Sequence, residues 1–219
     1  MKNLTRTIHF VRHGESIANA GGITMLNAQI PLTEKGHEQA KRVAEMLPVD
    51  TPLILCSEFL RTQQTAGYFA EKLNMPIETE PHLNEFNALC HTLITGFTGE
   101  QRKPVIDKYW ADSDPNILMG ETAESFFQFG LRVHQFLNYI LPDLPDKTVI
   151  FGHGIWFGML SWKLLGFDYC DTWSMRAFRR YQIGMPMPNC FSYQIHINNM
   201  DVNQPLSLSA NTQIIQAMR

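Results

Sequence analysis

Short apolar runs alternate along the chain with longer stretches in which apolar residues recur at every third or fourth position. A short run rich in β-branched and aromatic residues predicts a buried strand, and the wider spacing predicts an amphipathic helix. On this basis we predict strands at residues 6–11, 53–56, 77–80, 148–151 and 191–197. Helical stretches lie between several of these runs, which favours a mixed α/β architecture.

Two of the predicted helices have start and stop signals. The first follows Thr33, which we expect to cap it, and ends before Pro48. The second follows Ser57, which we expect to cap it in the same way, and ends before Pro76. In each of them the apolar residues fall on one helix face, so we expect both helices to pack against the sheet.

The second half of the chain contains two more helical stretches and two irregular ones. The spacing of apolar residues predicts helices at residues 126–140 and about 155–165. Residues 86–120 mix aromatic residues with glycine, proline and charged residues, and we predict a small, partly helical insertion there. The last twenty residues have the composition of a polar tail.

Strand and helix alternate at a spacing that predicts a mainly parallel central sheet with helices on both faces, a three-layer α/β/α sandwich. We expect residues 1–219 to form a single domain, in which the insertion at about 86–120 lies over the active site as a lid. Ligands of parallel sheets bind in the crevice beyond the carboxyl ends of the strands. The residues that follow the predicted strands are therefore the candidates for chemistry.

Composition and charge exclude several classes of function. The chain has 219 residues, of which 44% are hydrophobic and 18% charged, and these values are typical of a globular domain. Its net charge of −3 gives no electrostatic reason to expect nucleic acid or an anionic membrane as a partner. The most apolar stretch, residues 152–167, is interrupted by His153 and Lys163 and is too short to span a bilayer.

The cysteines and the N-terminus predict a cytoplasmic protein. Cys56, Cys90, Cys170 and Cys190 are scattered without a C-x-x-C pair, a pattern typical of reduced thiols rather than of a disulfide or zinc framework. The N-terminus has no apolar run of the kind that a secretory signal requires, so we expect no such signal. The histidines are dispersed as well, and we expect no metal and no other cofactor.

Two predicted strands end in a His-Gly dipeptide, so that His13 follows the first strand and His153 follows the fourth. Arg12 directly precedes His13, and Arg61 lies near the start of the helix that follows the second strand. Planar guanidinium groups bind tetrahedral oxyanions through paired hydrogen bonds, so this combination predicts a phosphate site. The alternatives are that the histidines are unrelated surface residues, that Arg12 forms a structural ion pair and that Arg61 is solvated.

Five segments of the chain resemble, in order, the signature of a known superfamily. They are RHGES at 12–16, PLTEKGHEQA at 31–40, SEFLRTQQTA at 57–66, GETAESF at 120–126 and VIFGHG at 149–154. One RHG match is a weak signal, but five segments in order resemble the histidine phosphatase (phosphoglycerate mutase-like) superfamily. The segment NCFS at 189–192 is also similar to the closing strand of that superfamily.

The resemblance implies that His13 is the nucleophile, which attacks the substrate phosphorus and forms a phosphohistidine. It also implies that Arg12, Arg61 and His153 surround the transferring phosphate and stabilise its charge. The two imidazoles are nearly symmetric in the sequence. The resemblance, together with the neighbouring Arg12, assigns the nucleophile to His13.

Three further residues receive roles from the same resemblance. Asn19 adds an amide donor, and Gly154 lets the backbone approach the phosphate. Glu85 protonates the leaving alkoxide and activates water in the second step, although the FNAL that follows it differs from the Gly-Trp-Glu-Gly-like stretch of many members. The other carboxylates that are candidates for this role are Glu15, Glu80 and Glu121.

Hydrolysis of a small-molecule phosphomonoester is the reaction that the sequence favours. Mutases of the superfamily usually carry a Trp-Asn pair shortly after RHGES and a Tyr-Gly stretch after the acid. This chain has Ile17-Ala18-Asn19 at the first place and no such stretch at the second. A phosphoglycerate mutase-type phosphotransferase and a non-catalytic phosphate-binding module are the two alternatives.

The sequence leaves open what contacts the rest of the substrate. Phe97, Tyr109 and Trp110 either line the pocket beyond the phosphate or pack the core of the insertion. Several basic residues either bind a second acidic group of the substrate or are ordinary solvated charges. They are Arg102, Lys103, Arg176, Arg179 and Arg180.

Overall fold

A six-stranded sheet forms the centre of the computed structural model, which describes residues 5–198 and 206–217. Its strands are β1 (Thr5–Arg12), β2 (Ile54–Cys56), β3 (Glu78–Thr79), β4 (Val149–Gly152), β5 (Ser192–Asn198) and β6 (Leu206–Ala210). They lie in the order β3-β2-β4-β1-β5-β6. The first four strands are parallel, and β5 and β6 are antiparallel to their neighbours.

Helices lie between the strands and after the last one. They are α1 (Glu34–Met46), α2 (Leu60–Leu73), α3 (Gly99–Asp112), α4 (Phe126–Gln135), α5 (Gly154–Leu164), α6 (Thr172–Gly184) and α7 (Thr212–Ala217). The helix α4 continues as a wider π-helical turn over Phe136–Ile140. Among the residues that the structure describes, every helix is too short or too polar to cross a membrane.

Two hydrophobic cores cover opposite faces of the sheet. Neighbouring side chains of a strand point to opposite faces, so Phe10 belongs to the larger core and Val11 to the smaller one. The larger core is completed by α3, α4, α5 and α6, and the smaller one by α1, α2 and α7. The predicted three-layer sandwich with a mainly parallel sheet is therefore confirmed.

The structure confirms one of the two predicted helix caps and contradicts the other. Thr33 caps α1 as expected, because its Oγ1 accepts a hydrogen bond from the Gly36 backbone N–H at 3.0 Å. The expectation for Ser57 was wrong, since α2 begins only at Leu60 and its cap position is occupied by Phe59, which makes no side-chain cap. The Ser57 hydroxyl is instead engaged in a hydrogen bond with His153, which competes with the local capping preference.

The prediction of a polar tail was wrong for the part that the structure describes. Residues 206–210 form β6, which pairs with β5 and places Leu208 opposite Ile195. Residues 212–217 form α7, and Ile214 is fully buried in the smaller core. The leucines of LSLS at 206–209 alternate with serines, which is the period-two pattern of a strand. The rest of the predicted tail, 200–205 and 218–219, lies outside the described residues.

Close backbone contact between α1 and the loop after β1 depends on two glycines. A Cβ on Gly36 would lie 2.0 Å from the Glu15 carbonyl oxygen, and a Cβ on Gly14 would lie 2.4 Å from the Gly36 carbonyl oxygen. We expect Gly36→Ala to cost about 1–3 kcal/mol of stability through this overlap. The cost corresponds to a melting temperature lower by roughly 2–10 °C in thermal denaturation.

Gly67→Ala is the matched control for this prediction. Gly67 lies within α2, and a Cβ there would meet nothing within 4 Å. Because alanine has a higher helix propensity than glycine, this variant is expected to melt slightly above the wild type. A Gly36→Ala protein that melts as high as Gly67→Ala would contradict the close contact.

Candidate active site

The carboxyl ends of three parallel strands meet at one edge of the sheet. β4 lies between β1 and β2 and is parallel to both. His13 follows β1, His153 follows β4, and Arg61 is the second residue of the helix after β2. The rings of His13 and His153 have centroids 5.1 Å apart and an interplanar angle of 64°. Chain segments that are far apart in sequence therefore bring two imidazoles and a guanidinium into contact distance.

Two hydrogen bonds fix the state of the His13 ring. Its Nδ1 lies 2.7 Å from the Gly14 carbonyl oxygen, which can only accept a hydrogen bond. Its Nε2 accepts a hydrogen bond from Nε of Arg61 at 3.2 Å. This pair of partners assigns the proton to Nδ1 and leaves a lone pair on Nε2. Burial, followed by the charges of Arg61 and Arg12, lowers the pKa of His13 well below its ordinary value, so the ring is neutral.

Two arginines hold buried positive charge beside this ring. Arg61 is 5% exposed, and its Nη1 donates a hydrogen bond to the Asn27 carbonyl oxygen at 2.7 Å. Arg12 donates from Nη1 to the Met187 carbonyl oxygen. Burial lowers the pKa of Arg61 to about 10, which still leaves it charged at neutral pH.

No carboxylate within the described residues forms an ion pair with either guanidinium at 4 Å or less. The alternative of a structural ion pair for Arg12 therefore does not hold, and the burial of Arg61 excludes a solvated side chain there. The Nε atom of Arg12 is buried and has no hydrogen-bond partner. Guanidinium groups held away from water without a directly paired carboxylate are costly, and an anionic ligand relieves that cost.

Gly154 opens space for one of these arginines. A Cβ at this position would lie 3.2 Å from Nε of Arg12 and 3.3 Å from its Cζ, which is a tight contact. Gly154 is also the first residue of α5, and His153 occupies the N-cap position of that helix. The partial positive charge of the helix N-terminus therefore adds to that of the guanidinium groups.

His153 is held by Ser57 at the opposite side of the ring pair. Its Nε2 lies 2.7 Å from the Ser57 hydroxyl, which also bonds to the Thr62 hydroxyl at 2.7 Å. The Nδ1 atom of His153 is buried without a partner. Burial, with the charge of Arg61 as the next cause, lowers the pKa of His153 well below its ordinary value.

The Glu85 carboxylate lies at the N-terminus of α5. Its Oε1 accepts hydrogen bonds from the backbone N–H groups of Phe86 and Trp156, both at 2.9 Å, and its Oε2 accepts one from Ile155 at 3.1 Å. Burial raises the pKa of Glu85, and the Phe86 N–H and the charge of Arg61 oppose that rise in part. The carboxyl group lines the same cavity as His13.

The other carboxylates that the sequence left open lie elsewhere. Glu15 forms an ion pair with Lys35 at 2.8 Å, and Glu80 bonds to the ring of His82 at 2.7 Å. Glu121 is exposed. Of the four candidates, Glu85 alone lines the cavity that contains His13.

The chain matches a sequence model of a known protein family. The sequence model of the histidine phosphatase superfamily (branch 1) matches residues 8–183, which is well over half of the chain. The chain belongs to the histidine phosphatase superfamily. The match begins within β1 and ends within α6, so it contains each of the strand ends described above.

Relatives within this superfamily include both mutases and phosphatases. A Yersinia pestis (strain Pestoides F) protein named probable phosphoglycerate mutase GpmB is 32% identical over 167 residues, which cover 73% of this chain and 74% of that protein. The α-ribazole phosphatase of Shigella flexneri is 24% identical with a TM-score of 0.69 and covers 93% of this chain and 95% of its own. A mycobacterial glucosyl-3-phosphoglycerate phosphatase, solved with VO3, is 21% identical with a TM-score of 0.69, covering 94% of this chain and 98% of that one. These two structures show the histidine phosphatase fold.

Asn19 lines the histidine phosphatase site, but its side-chain oxygen is engaged within the protein. Its Oδ1 accepts hydrogen bonds from the Ser16 backbone N–H at 3.2 Å and from Nδ2 of Asn189 at 3.1 Å. Asn189 also donates to the His13 carbonyl oxygen at 3.0 Å. Sequence reasoning did not single out Asn189 or Ser57 as site residues, although the segments that contain them carried the resemblance to the family.

The predicted insertion has its own helix, α3, but lines none of the large cavity next to His13. Tyr109 and Trp110 are buried in the larger core. Phe97 accepts a backbone hydrogen bond from Thr24 at 2.8 Å, and the Gly99 N–H donates to Gly21 at 3.2 Å. The insertion therefore supports the loop that leads from Asn19 toward Arg61, and the cavity wall comes from α5, α6, β5 and β6 instead.

The basic residues proposed for a second acidic group are all used elsewhere or exposed. Arg102 donates to the Thr24 hydroxyl, Lys103 forms an ion pair with Asp107, and Arg179 lies over the Trp110 ring. Arg176 and Arg180 are exposed, and none of the five lines the cavity. Over residues 5–198 and 206–217, no three His, Cys, Asp or Glu side chains form a group that could hold a metal ion.

Proposed function

We propose that the chain is a phosphomonoester hydrolase that acts through a phosphohistidine on Nε2 of His13. The observation that carries this proposal is the hydrogen-bonding pattern of that ring. With Nδ1 donating to Gly14 and Nε2 accepting from Arg61, the nitrogen that faces the guanidinium keeps its lone pair. A neutral imidazole beside two guanidinium groups, neither of them in a direct ion pair, is suited to attack a phosphate dianion.

In the first step Nε2 of His13 attacks the phosphorus in line with the bond to the leaving oxygen. The N–P bond forms, the P–O bond breaks, and the leaving alkoxide takes a proton from Glu85. Arg12, Arg61 and the N-terminus of α5 stabilise the charge on the three equatorial oxygens. His153 is a further group for these oxygens, because its Nδ1 has no hydrogen-bond partner within the protein.

In the second step a water molecule replaces the alcohol. The ionised Glu85 takes a proton from the water while the water oxygen attacks phosphorus, and the N–P bond breaks to return the lone pair to His13. Orthophosphate is released, and both residues return to their starting protonation states. The same carboxyl group therefore acts as acid and then as base, as its raised pKa favours.

Phosphoryl transfer between two hydroxyl groups is the second candidate. The named function of the Yersinia relative, phosphoglycerate mutase, favours it. The chain has Ile17-Ala18-Asn19 at the place where superfamily mutases usually carry a Trp-Asn pair, and the absence of the Trp favours hydrolysis. The two reactions share the first step and differ only in what accepts the phosphoryl group.

A single-turnover experiment tests the proposal. The enzyme is mixed with ³²P-labelled ethyl phosphate, quenched in alkali and digested, and the label is expected on the peptide that contains His13 in an acid-labile form. Chasing with unlabelled 3-phosphoglycerate distinguishes the candidates, because a hydrolase releases the label as orthophosphate and a mutase transfers it to phosphoglycerate. Label on another peptide, or none, would rule out His13 as the nucleophile.

The pH dependence of kcat/KM for ethyl phosphate is expected to be bell-shaped, with its maximum on the acid side of neutrality. The pKa of His13 is lowered from 6.5, so the nucleophile is lost by protonation only when the pH falls well below that value. The pKa of Glu85 is raised from 4.5, so the acid is lost by ionisation when the pH rises above that value. Steady-state rates over a pH series measure both limbs.

The variant Glu85→Gln distinguishes the limb caused by Glu85 from a limb caused by ionisation of the substrate, whose phosphate group has its own pKa near 6. The variant is expected to lose the alkaline limb that Glu85 contributes, whereas the limb caused by the substrate is common to both proteins. Its loss in kcat/KM, relative to the wild type, is expected to be larger with ethyl phosphate than with 4-nitrophenyl phosphate. The leaving group of 4-nitrophenyl phosphate needs no proton. Equal losses with both substrates would contradict the assignment of Glu85 as the acid.

A further inference from the structure

The cavity next to His13 extends far beyond the residues that surround the phosphate. Its volume is about 680 Å³, which lies in the range of pockets that enclose a drug-sized ligand. It passes α5 and α6 and reaches the edge strand β6, where Leu206 and Leu208 line it. A phosphate group between the arginines occupies one end only, so most of the volume is available to the leaving group.

Charged side chains line this cavity at the phosphate end only. Arg12, Arg61 and Glu85 lie there, and the other lining residues that the structure describes are uncharged at neutral pH. A carboxylate or a second phosphate on the leaving group would lose its water in the remaining part without gaining a cation. This distribution of charge disfavours phosphorylated acids and bisphosphates as substrates.

The wall beyond the phosphate end is mainly aromatic and aliphatic. Phe157 stacks on Tyr193, with ring centroids 4.5 Å apart and an interplanar angle of 24°. Leu164 and Leu208 line the cavity from α5 and from β6, respectively. Each apolar group of a ligand that enters this space is removed from water, which favours binding in proportion to the area buried.

Three polar groups in this part of the wall already have hydrogen-bond partners within the protein. The hydroxyls of Ser161 and Tyr181 lie 2.7 Å apart, and the Ser161 hydroxyl also lies 3.0 Å from the Phe157 carbonyl oxygen. The side-chain oxygen of Gln182 accepts a hydrogen bond from Arg179 at 2.6 Å. An apolar ligand that covers these three groups leaves their hydrogen bonds intact, which reduces the penalty for covering polar atoms.

The rim of the cavity is apolar as well. Leu165 and Met185 both line the cavity and are 62% and 66% exposed, respectively. Exposed apolar residues scattered singly are ordinary, but these two continue the apolar wall out to the surface. A long apolar leaving group can therefore contact apolar side chains from the inner wall of the cavity out to its rim.

We propose that the substrate is the phosphate monoester of a large, uncharged and predominantly apolar alcohol. The inference rests on the hydrolase function proposed above and adds the class of leaving group. The two arginines bind the phosphate, and the wall formed by α5, α6, β5 and β6 selects the alcohol by its buried apolar area.

The test compares three primary alkyl phosphates whose leaving oxygens have similar basicity, so that only the chain differs. They are ethyl phosphate, octyl phosphate and 7-carboxyheptyl phosphate. Octyl phosphate has six more methylenes than ethyl phosphate. Because one fully buried methylene contributes about fourfold, its kcat/KM is expected to be higher by on the order of 10³-fold. The carboxylate at the end of the third chain is expected to remove at least about tenfold of that gain.

The matching phosphonates, which cannot be hydrolysed, separate this inference from the hydrolase proposal. Calorimetry on the wild-type protein is expected to give the same order, with octylphosphonate binding more tightly than ethylphosphonate and 7-carboxyheptylphosphonate. Octylphosphonate that binds no more tightly than ethylphosphonate would overturn the inference, whether or not the enzyme turns over. A protein that binds the series in this order but forms no phosphohistidine would instead overturn the hydrolase proposal.

Two substitutions that fill part of the cavity test whether the alcohol of the substrate binds there. Leu164→Trp and Leu208→Trp are each expected to lower kcat/KM for octyl phosphate about tenfold or more and to leave that for ethyl phosphate within about twofold. Ile183→Trp is the matched control, because Ile183 is exposed on α6 and does not line the cavity. If both cavity variants behave as this control does with octyl phosphate, the alcohol does not occupy the cavity and the inference is wrong.

Discussion

Replacing His13 with alanine is expected to lower kcat for phosphomonoester hydrolysis by roughly 10⁵-fold, the size of effect seen when a covalent nucleophile is removed. The reason is that no other group can take its place at the phosphorus. His153 lies beside it, but of the two imidazoles only His13 lines the cavity that holds the substrate. The rate of orthophosphate release from ethyl phosphate, measured with excess enzyme, gives the residual activity.

Two controls show that this loss comes from chemistry rather than from unfolding. His134→Ala changes a histidine of α4 that does not line the cavity, and its activity is expected to stay within about twofold of the wild type. In His13→Ala both arginines remain, so orthophosphate binding measured by calorimetry is expected to persist. Residual activity above about 1% of the wild type, with phosphate binding intact, would show that His13 is not the nucleophile.

Stability against pH gives an independent check on the same ring. A histidine whose folded pKa is lowered takes up its proton in the unfolded chain first, so it costs stability as the pH falls below 6.5 toward the folded pKa. Removing His13 removes one such group. The fall in unfolding free energy between about pH 7 and 5.5 is therefore expected to be shallower in His13→Ala than in the wild type.

The parts of the fold that the sequence predicted are those in which local pattern and tertiary environment agree. Residues 8–11 of β1 and all of β4 are buried, so apolar residues predominate in both segments. Each strand is followed by a polar residue, which marks where the strand ends. His13 and His153 follow directly, and the topology of a parallel sheet then places them at the same edge. The period-two pattern of β6 was present too, but the polar composition of the surrounding tail hid it.

The residues whose surroundings local pattern could not predict depend on contacts between distant segments. Ser57 stands where a helix cap is favoured, yet its hydroxyl bonds to an imidazole 96 positions later. Glu85 owes its position to backbone N–H groups of Ile155 and Trp156, 70 and 71 positions away. No local pattern encodes such pairs, and only the resemblance to the family pointed to Glu85.

The aromatic residues of the insertion illustrate the same limit. Tyr109 and Trp110 are as suitable for a pocket wall as for a core, and their spacing on a helix fits both. The structure buries them against Phe86, with ring centroids 6.2 Å and 6.1 Å away, respectively. Part of the cavity wall comes instead from α6 and β6, neither of which the sequence pattern predicted, so the large space could not be foreseen from the sequence.

Arg61 has two separate effects at the site, and a substitution there is expected to change both. Its guanidinium holds positive charge beside the phosphate position, and it donates from Nε to the nucleophilic nitrogen of His13. Arg61→Met is expected to lower kcat/KM by roughly 10³-fold, as loss of a charge that stabilises a transferring phosphoryl group does. Arg61→Lys keeps the charge but not the fork, and an intermediate loss of roughly 10²-fold is expected.

The second effect gives a readout that misfolding would not produce. The charge of Arg61 is one cause of the lowered pKa of His13, so removing it is expected to raise that pKa. NMR of the His13 ring without substrate measures this pKa apart from the ionisation of the substrate. The pKa is expected to be higher in Arg61→Met than in the wild type and to change less in Arg61→Lys. Arg42→Met, at an exposed arginine of α1, is the matched control and is expected to alter neither the rate nor this pKa. A His13 pKa that is unchanged in Arg61→Met would mean that the guanidinium does not act on this ring, and the second role assigned to Arg61 would be wrong.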